Sequence, residues 1–179
     1  MRVIAGRLGG RRLQAPSSSV TRPTGDRVRE SVFATLGDIN GAVVLDLFAG
    51  SGAMAIEALS RGASRAVLVE RDRSAAKVIE ANLEALELAD PEAVLIRGNA
   101  LRALEIASKS GETYDLVFLD PPYRQPAMLG ADPAKLIGTI LAPAARVVTE
   151  SDRRQPLEIE LPLIDERRYG DTVIRIHQQ

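Results

Sequence analysis

Five short apolar runs recur along the chain, Val43 to Phe48, Ala66 to Glu70, Ala93 to Arg97, Leu116 to Leu119 and Arg146 to Glu150, and a helix-length segment separates each from the next. That alternation is the pattern of parallel strands buried on both faces and joined by crossover helices. The spacing predicts helices beginning near Gly52, Arg73, Ala100 and Pro133. Two further strands, Leu157 to Leu161 and Thr172 to His177, have no helix-length segment between them and are predicted to pair as an antiparallel hairpin. The expected fold is α/β: a seven-stranded, mostly parallel sheet with an antiparallel last strand.

At 179 residues the chain matches one domain of ordinary size. We expect residues 1–179 to form a single unit with a basic arm over 1–24, a helix over 25–37 and the main core over 41–179. The absence of cysteine excludes a disulfide framework and cysteine-based metal or nucleophile chemistry, and no metal is expected. The only histidine, His177, is the third residue from the C-terminal end and is expected at the surface or an edge. The opening "MRVIAGRLGGRR" lacks the apolar stretch of a signal peptide, and no apolar run elsewhere is long enough to span a bilayer. A cytoplasmic monomer with no membrane partner is the expectation.

The net charge of −1 hides an uneven distribution. Residues 1–31 hold Arg2, Arg7, Arg11, Arg12, Arg22, Arg27 and Arg29 against Asp26 and Glu30, a balance of +5 on an otherwise acidic protein. A basic arm on an acidic body is a candidate polyanion-binding element. Asp26 is a candidate N-cap for a helix running to Leu36, in which Val28, Val32, Phe33 and Leu36 form one face. Arg29 falls inside that face and needs a partner, either a core carboxylate or a bound phosphate; Arg27 points the other way.

The first strand runs into "DLFAGSGAMAIEA", where Gly50, Gly52 and Ala55 match a loop that lets a ligand approach the N-terminus of a helix. Glu70 closes the second strand, where an acid can accept hydrogen bonds from ribose hydroxyls. Both nicotinamide dinucleotides and S-adenosylmethionine use this architecture. Asp46, within the first strand, would repel a pyrophosphate and favour a ligand carrying an ammonium and a sulfonium, and no side chain stands out as the acid for hydride transfer. The fourth strand ends in "DPPY", Asp120-Pro121-Pro122-Tyr123. Two prolines make a stiff turn that displays one carboxylate, backbone carbonyls and a ring, which suits a planar ligand bearing N–H donors.

"DLFAGSG", Glu70 and "DPPY" together resemble the S-adenosylmethionine-dependent amino-methyltransferases. "RVIAG", "GGRRL", "RPTGDRVRESVF" and "YGDT" narrow the resemblance to the bacterial 16S (small-subunit) ribosomal RNA guanine-N2 methyltransferase family, over Arg2 to Thr172. The resemblance implies a Rossmann-like class I methyltransferase fold and transfer of a methyl group to N2 of one guanine, numbered 966 in that family. It places Asp46, Gly50 and Gly52 around the methionine part of the cofactor, Glu70 on its ribose, Asn99 and Ala100 at its adenine, and Phe48, Ala49 and Asp120 among the further cofactor contacts. Asp120 and the Pro121 carbonyl would accept the two hydrogens of the target amine, with Pro122 stiffening the turn and Tyr123 stacking on the base. Arg11, Arg12, Arg22, Arg27 and Arg29 are the candidate contacts to the substrate, 16S ribosomal RNA or the small ribosomal subunit. "DPPY" alone also fits methylation of adenine N6 or cytosine N4, and a noncatalytic RNA-binding assembly factor on the same fold is the alternative outside enzymology.

Overall fold

The computed structural model describes residues 1–16, 25–121 and 136–179. Its elements are α1 (Asp26–Leu36), β1 (Val43–Asp46), α2 (Ala53–Ser60), β2 (Arg65–Glu70), α3 (Arg73–Ala85), β3 (Ala93–Arg97), α4 (Ala100–Ser110), β4 (Tyr114–Leu119), β5 (Leu141–Asp152), β6 (Leu163–Tyr169) and β7 (Thr172–Gln178). The expected helix near Pro133 begins outside the described residues. The seven strands lie in one sheet in the order β3-β2-β1-β4-β5-β7-β6. β1 to β5 pair in parallel, and β7 runs antiparallel to both its neighbours. This is the anticipated α/β sheet, with its chain reversal between β1 and β4, where ligands bind in open parallel sheets.

The parallel strands read as unbroken apolar runs because both their faces are covered. Val44, Leu68, Phe118 and Val148 face one core cluster, shared with Phe33 of α1, Ile56 and Leu59 of α2 and Ile79 of α3. Their chain neighbours Leu45, Val67, Val117 and Val147 face the other, under Ala103, Leu104 and Ala107 of α4. α2 shows the consequence of tight layering: every residue in it except Met54 is buried.

The hairpin differs from the expectation. Leu157 to Leu161 is not a strand; β7 pairs instead with Leu163–Tyr169, closed by a two-residue turn in which Gly170 takes φ +63°. The alternation of "LEIEL" does mark a facing side, since Leu157, Ile159 and Leu161 pack partly buried on the second cluster. Pro156 and Pro162 bracket it, and prolines confine a segment to edges because they cannot donate to a ladder. The actual strand, "LIDERRY", looks like a polar loop because it is the sheet's edge. Its charges are spent on ion pairs, Arg175 with Glu166 across the ladder and Arg168 with Glu166 beside it.

His177 is also a correction. It is buried on β7, with Nδ1 3.1 Å from the Leu161 carbonyl, and burial lowers its pKa, so it is a neutral structural residue.

The N-terminal segment is bonded down along its described length. Arg2 and Arg12 form an antiparallel bridge, and Val3, Leu8 and Leu13 enter the first core cluster. Glu57 of α2, fully buried, accepts the N–H groups of Ile4 (2.7 Å) and Ala5 (3.1 Å) and the Arg61 Nε (2.7 Å). Ser60 accepts the Leu8 N–H at 2.9 Å, and Asn82 of α3 exchanges hydrogen bonds with the backbone of Gln14. Gly6 approaches so closely that a Cβ there would stand 1.8 Å from the Ser60 carbonyl oxygen.

Candidate active site

Four strands bring a carboxylate to the same edge after a similar run: "VVLD" and "VLVE" close β1 and β2, "VFLD" runs one residue past β4, and "VVTE" stops two residues short of the end of β5. Each places a carboxylate after three residues of strand. Register fixes their arrangement. Asp46 is level with Leu68 and Phe118, and Phe118 is level with Val148. Glu70 and Glu150 lie two residues beyond Leu68 and Val148, on the face of the first cluster; Asp120 continues β4 by the same step from Phe118. Asp46 therefore sits one pleat deeper than the other three.

The four acids have different environments. Asp46 is 3% exposed, and its pKa is pushed up to about 7: desolvation is the main cause, the N–H groups of Phe48 and Ala55 oppose it, and the charge on Glu70 adds to it. Asp120 as a residue is part-exposed, yet its carboxyl is held well above the ordinary range, first by desolvation, then by the charges on Glu150 and Asp46. Glu70 braces the loop after β1, accepting the N–H of Gly50 through Oε2 (2.8 Å) and of Asp72 through Oε1 (2.7 Å).

The glycine loop is built to turn, not to bind an anion. Gly50 and Gly52 take φ +55° and +79°, in the region glycine enters at least cost. Gly50 donates its N–H to Glu70 and Gly52 donates to the Ala49 carbonyl at 2.6 Å. With these two donors occupied and carboxylates on both sides, the loop disfavours a pyrophosphate. The donor set is acceptor-rich and suits a ligand that is cationic and carries hydroxyls and N–H groups. Among the described residues, no group of three or more His, Asp or Glu side chains is placed to hold a metal ion, and no helix is long and apolar enough to cross a membrane.

Asp46, Phe48, Ala49, Gly50, Gly52, Glu70, Asp120 and Pro121 are thus gathered at one sheet edge around the β1–β4 reversal. Asn99 follows β3 on the same edge, but its side-chain oxygen caps α4 by accepting the Leu101 N–H at 2.8 Å, with Ala100 buried behind it. Pro122, Tyr123 and Arg22 fall outside the described residues.

The arginines divide. Arg11, Arg12 and Arg27 are all exposed, and Arg11 also donates to the Ala85 carbonyl at the end of α3 (2.6 Å). Arg29 is 1% exposed and donates to Asp26 (2.9 Å) and to the Arg2 carbonyl (2.6 Å). It is the internal ion pair of the two options its position left open, which corrects its assignment as an RNA contact. Asp26 correspondingly sits in the first turn of α1 as that pair's acid, and Gly25 takes the N-cap position.

Sequence reasoning missed Glu57, Ser60 and Asn82, the buried polar groups that dock the N-terminal segment, and it missed Glu150. Glu57 had a visible signal, a lone acid inside the apolar helix "AMAIEALS". The signal for Glu150 was the sequence pattern repeated in four strands, three mostly apolar residues followed by an acid.

The profile of a family described as "Conserved hypothetical protein 95" matches residues 1–178. The chain belongs to that family. It is 39% identical to YlbH of Bacillus subtilis over all of this chain and 99% of that protein. It is 34% identical to the ribosomal RNA small subunit methyltransferase D of Haemophilus influenzae, over 99% of this chain and 93% of that one. The solved structure of yhhF from Escherichia coli superposes with a TM-score of 0.84 at 35% identity, covering all of this chain and 97% of the other.

Proposed function

We propose that this family member is an rRNA methyltransferase that uses S-adenosylmethionine to methylate the exocyclic N2 of one guanine in 16S ribosomal RNA, at position 966 in the numbering of the resembled family. The observation that carries the reading is the row of carboxylates along one edge of the parallel strands, around a glycine loop whose Gly50 and Gly52 N–H groups are already used. The cofactor contributes an electrophilic methyl group on a positively charged sulfur.

The chain's own residues would divide the work as follows. Asp46, buried and reluctant to ionise alone, gains a counter-charge from the cofactor's ammonium. Glu70 keeps lone pairs for the ribose hydroxyls while bracing Gly50. Asn99 and Ala100 border the adenine end, with Asn99 held in place by its cap.

Asp120 and the Pro121 carbonyl accept the two hydrogens of the target amine. A purine amine is a poor nucleophile because its lone pair is delocalised into the ring. Holding both hydrogens out of the ring plane directs that lone pair at the methyl carbon. The cofactor would supply the methyl group and keep the electron pair of the broken bond, and Asp120 would take the surplus proton from the methylated amine. Most of the acceleration then comes from proximity and alignment. A guanine in structured RNA must be turned out of its stack first, at a cost of a few kcal/mol, and Tyr123 would hold the turned-out base by stacking. Arg12 and Arg27, exposed members of the basic set, would contact phosphates.

The test is to incubate the protein with methyl-labelled cofactor and small-subunit RNA or particles and to analyse the nucleosides. N2-methylguanosine is expected. Label on adenosine or cytidine, or none despite cofactor binding, refutes the reading.

A further inference from the structure

Asp120 has a neighbour that the amine chemistry leaves without a role. Leu119 of β4 is level with Thr149 of β5, so the next residues, Asp120 and Glu150, sit side by side on strands spaced roughly 4.8 Å apart. Phe118 and Val148, two residues earlier, both face the first cluster, so the two carboxylates rise on the same face. We propose that Glu150 is a specificity residue: it accepts the ring N1–H of the target base while Asp120 holds the adjacent exocyclic amine. The inference rests on the guanine-N2 reading and deepens it.

The argument is one of donor pattern. On guanine the exocyclic amine is flanked by N1–H, so the edge presented to the site is a run of donors. On adenine the amine is flanked by N1, and on cytosine by N3, both of them acceptors. An ionised carboxylate only accepts. A single acid at Asp120 can hold the amine of any of the three bases; a second acid beside it attracts guanine and sets a carboxylate against a ring lone pair in the other two. Selectivity then has both a favourable and a repulsive element. A site built to hydrogen-bond a particular N–H discriminates strongly against analogues that lack it, because its own polar group is left unsatisfied. The mutual repulsion of Asp120 and Glu150 is relieved by a donor-rich edge and worsened by an acceptor, which points the pair at the same base.

The experiment uses the full-length protein, S-adenosylmethionine and one RNA made in two forms, with guanine or with 2-aminopurine at the target position. 2-Aminopurine keeps the N2 amine but has an acceptor at N1. Wild type is expected to methylate the guanine RNA at least about tenfold faster. In Glu150→Gln the amide can donate to N1, so the guanine rate should fall and the guanine-to-2-aminopurine ratio should drop by at least about tenfold, with cofactor binding unchanged. Reading the change in ratio cancels the loss of O6 from the analogue. Wild type that methylates both RNAs equally overturns the proposal without any variant, as does a folded Glu150→Gln whose ratio equals that of wild type. Should that variant not fold, Glu150→Asp serves: a lower rate with the guanine preference kept supports the role, and a lost preference refutes it. A wild-type protein that methylates no guanine refutes the function itself.

Discussion

Asp46 offers the sharpest test, because one residue links cofactor affinity, stability and pH. Its carboxyl is raised from 3.8 to about 7, mainly by burial. At 1.36 kcal/mol per unit, the ionised form costs the folded protein up to about 4 kcal/mol. The sign follows from proton counts. Between pH 4 and 7 the folded state holds a proton at Asp46 that the unfolded chain has lost, so this residue's contribution falls as pH rises through that window and is lowest above 7. Asp46→Asn removes the titration. The ligand-free variant should be more stable than wild type at pH 8, and the difference should shrink toward pH 4. For a chain of this size each kcal/mol is worth roughly 2–4 °C.

Cofactor binding should run the other way. If the cofactor's ammonium needs an ionised Asp46, only about one-tenth of the free protein is competent at pH 6 and about nine-tenths at pH 8, so affinity should be about tenfold weaker at pH 6. Asp46→Asn should bind weakly at every pH. The assays are thermal melts of both proteins from pH 4 to 8 and calorimetry of cofactor binding in two buffers of different ionisation enthalpy, which reports proton release directly. Glu70, Glu150 and Asp120 face the same site, so wild type minus variant is the informative quantity. A variant less stable than wild type at pH 8, together with binding that releases no proton below pH 7, would refute the account of Asp46 as a stored, ligand-relieved charge.

Asp120→Asn should lose most turnover while keeping cofactor affinity, checked by single-turnover methylation beside calorimetry. Arg12→Ala with Arg27→Ala should lower the log–log salt slope of RNA binding by roughly 0.7–0.9 per lost phosphate contact; an unchanged slope moves the RNA surface elsewhere. Arg29→Ala should leave that slope alone and cost about 1–3 kcal/mol in a denaturant melt, by stranding the Arg2 carbonyl and removing the charge against Asp26. Gly6→Ala should free the N-terminal segment, seen as early proteolytic cleavage before α1, because its Cβ would overlap the Ser60 carbonyl and its φ of +80° disfavours a side chain.

How much of this was legible depended on what kind of signal each residue carried. The parallel strands announced themselves because continuous apolar runs are what burial on both faces requires, and α2, α3 and α4 follow from their spacing. The one misplaced strand sits at the edge, where exposure lets β6 be charged and where Leu157, Ile159 and Leu161 borrow a strand's alternation without a ladder. The helical wheel put Arg29 on the buried face, but its partner depends on the fold, which brings Asp26 and the Arg2 carbonyl to its guanidinium. The N-terminal charge count misled in part. Arg11 and Arg29 spend their donors on backbone carbonyls, Arg29 and Arg7 pair with acids, and Val3, Leu8 and Leu13 were the better clue that this segment docks. A net balance says how many charges a segment has and nothing about how many it has left.

The row of acids carries the same lesson in the opposite direction. Taken singly, Asp46, Glu70 and Asp120 each matched a motif, and Glu150 matched none. Taken by register, they are one feature, with Asp46 a pleat below the rest and therefore the most fully desolvated. Depth sorts their tasks. A carboxylate that water cannot reach is suited to a counter-ion that arrives with its own charge, which is what an ammonium does. Carboxylates at the rim, where one can brace a loop and two can stand side by side, are suited to reading hydroxyls and N–H groups in a fixed pattern. The charge at the bottom of the site and the donor pattern at its rim are then two separable requirements: losing Asp46 should abolish tight cofactor binding without changing which base is chosen, and losing Glu150 should change the base without touching the cofactor.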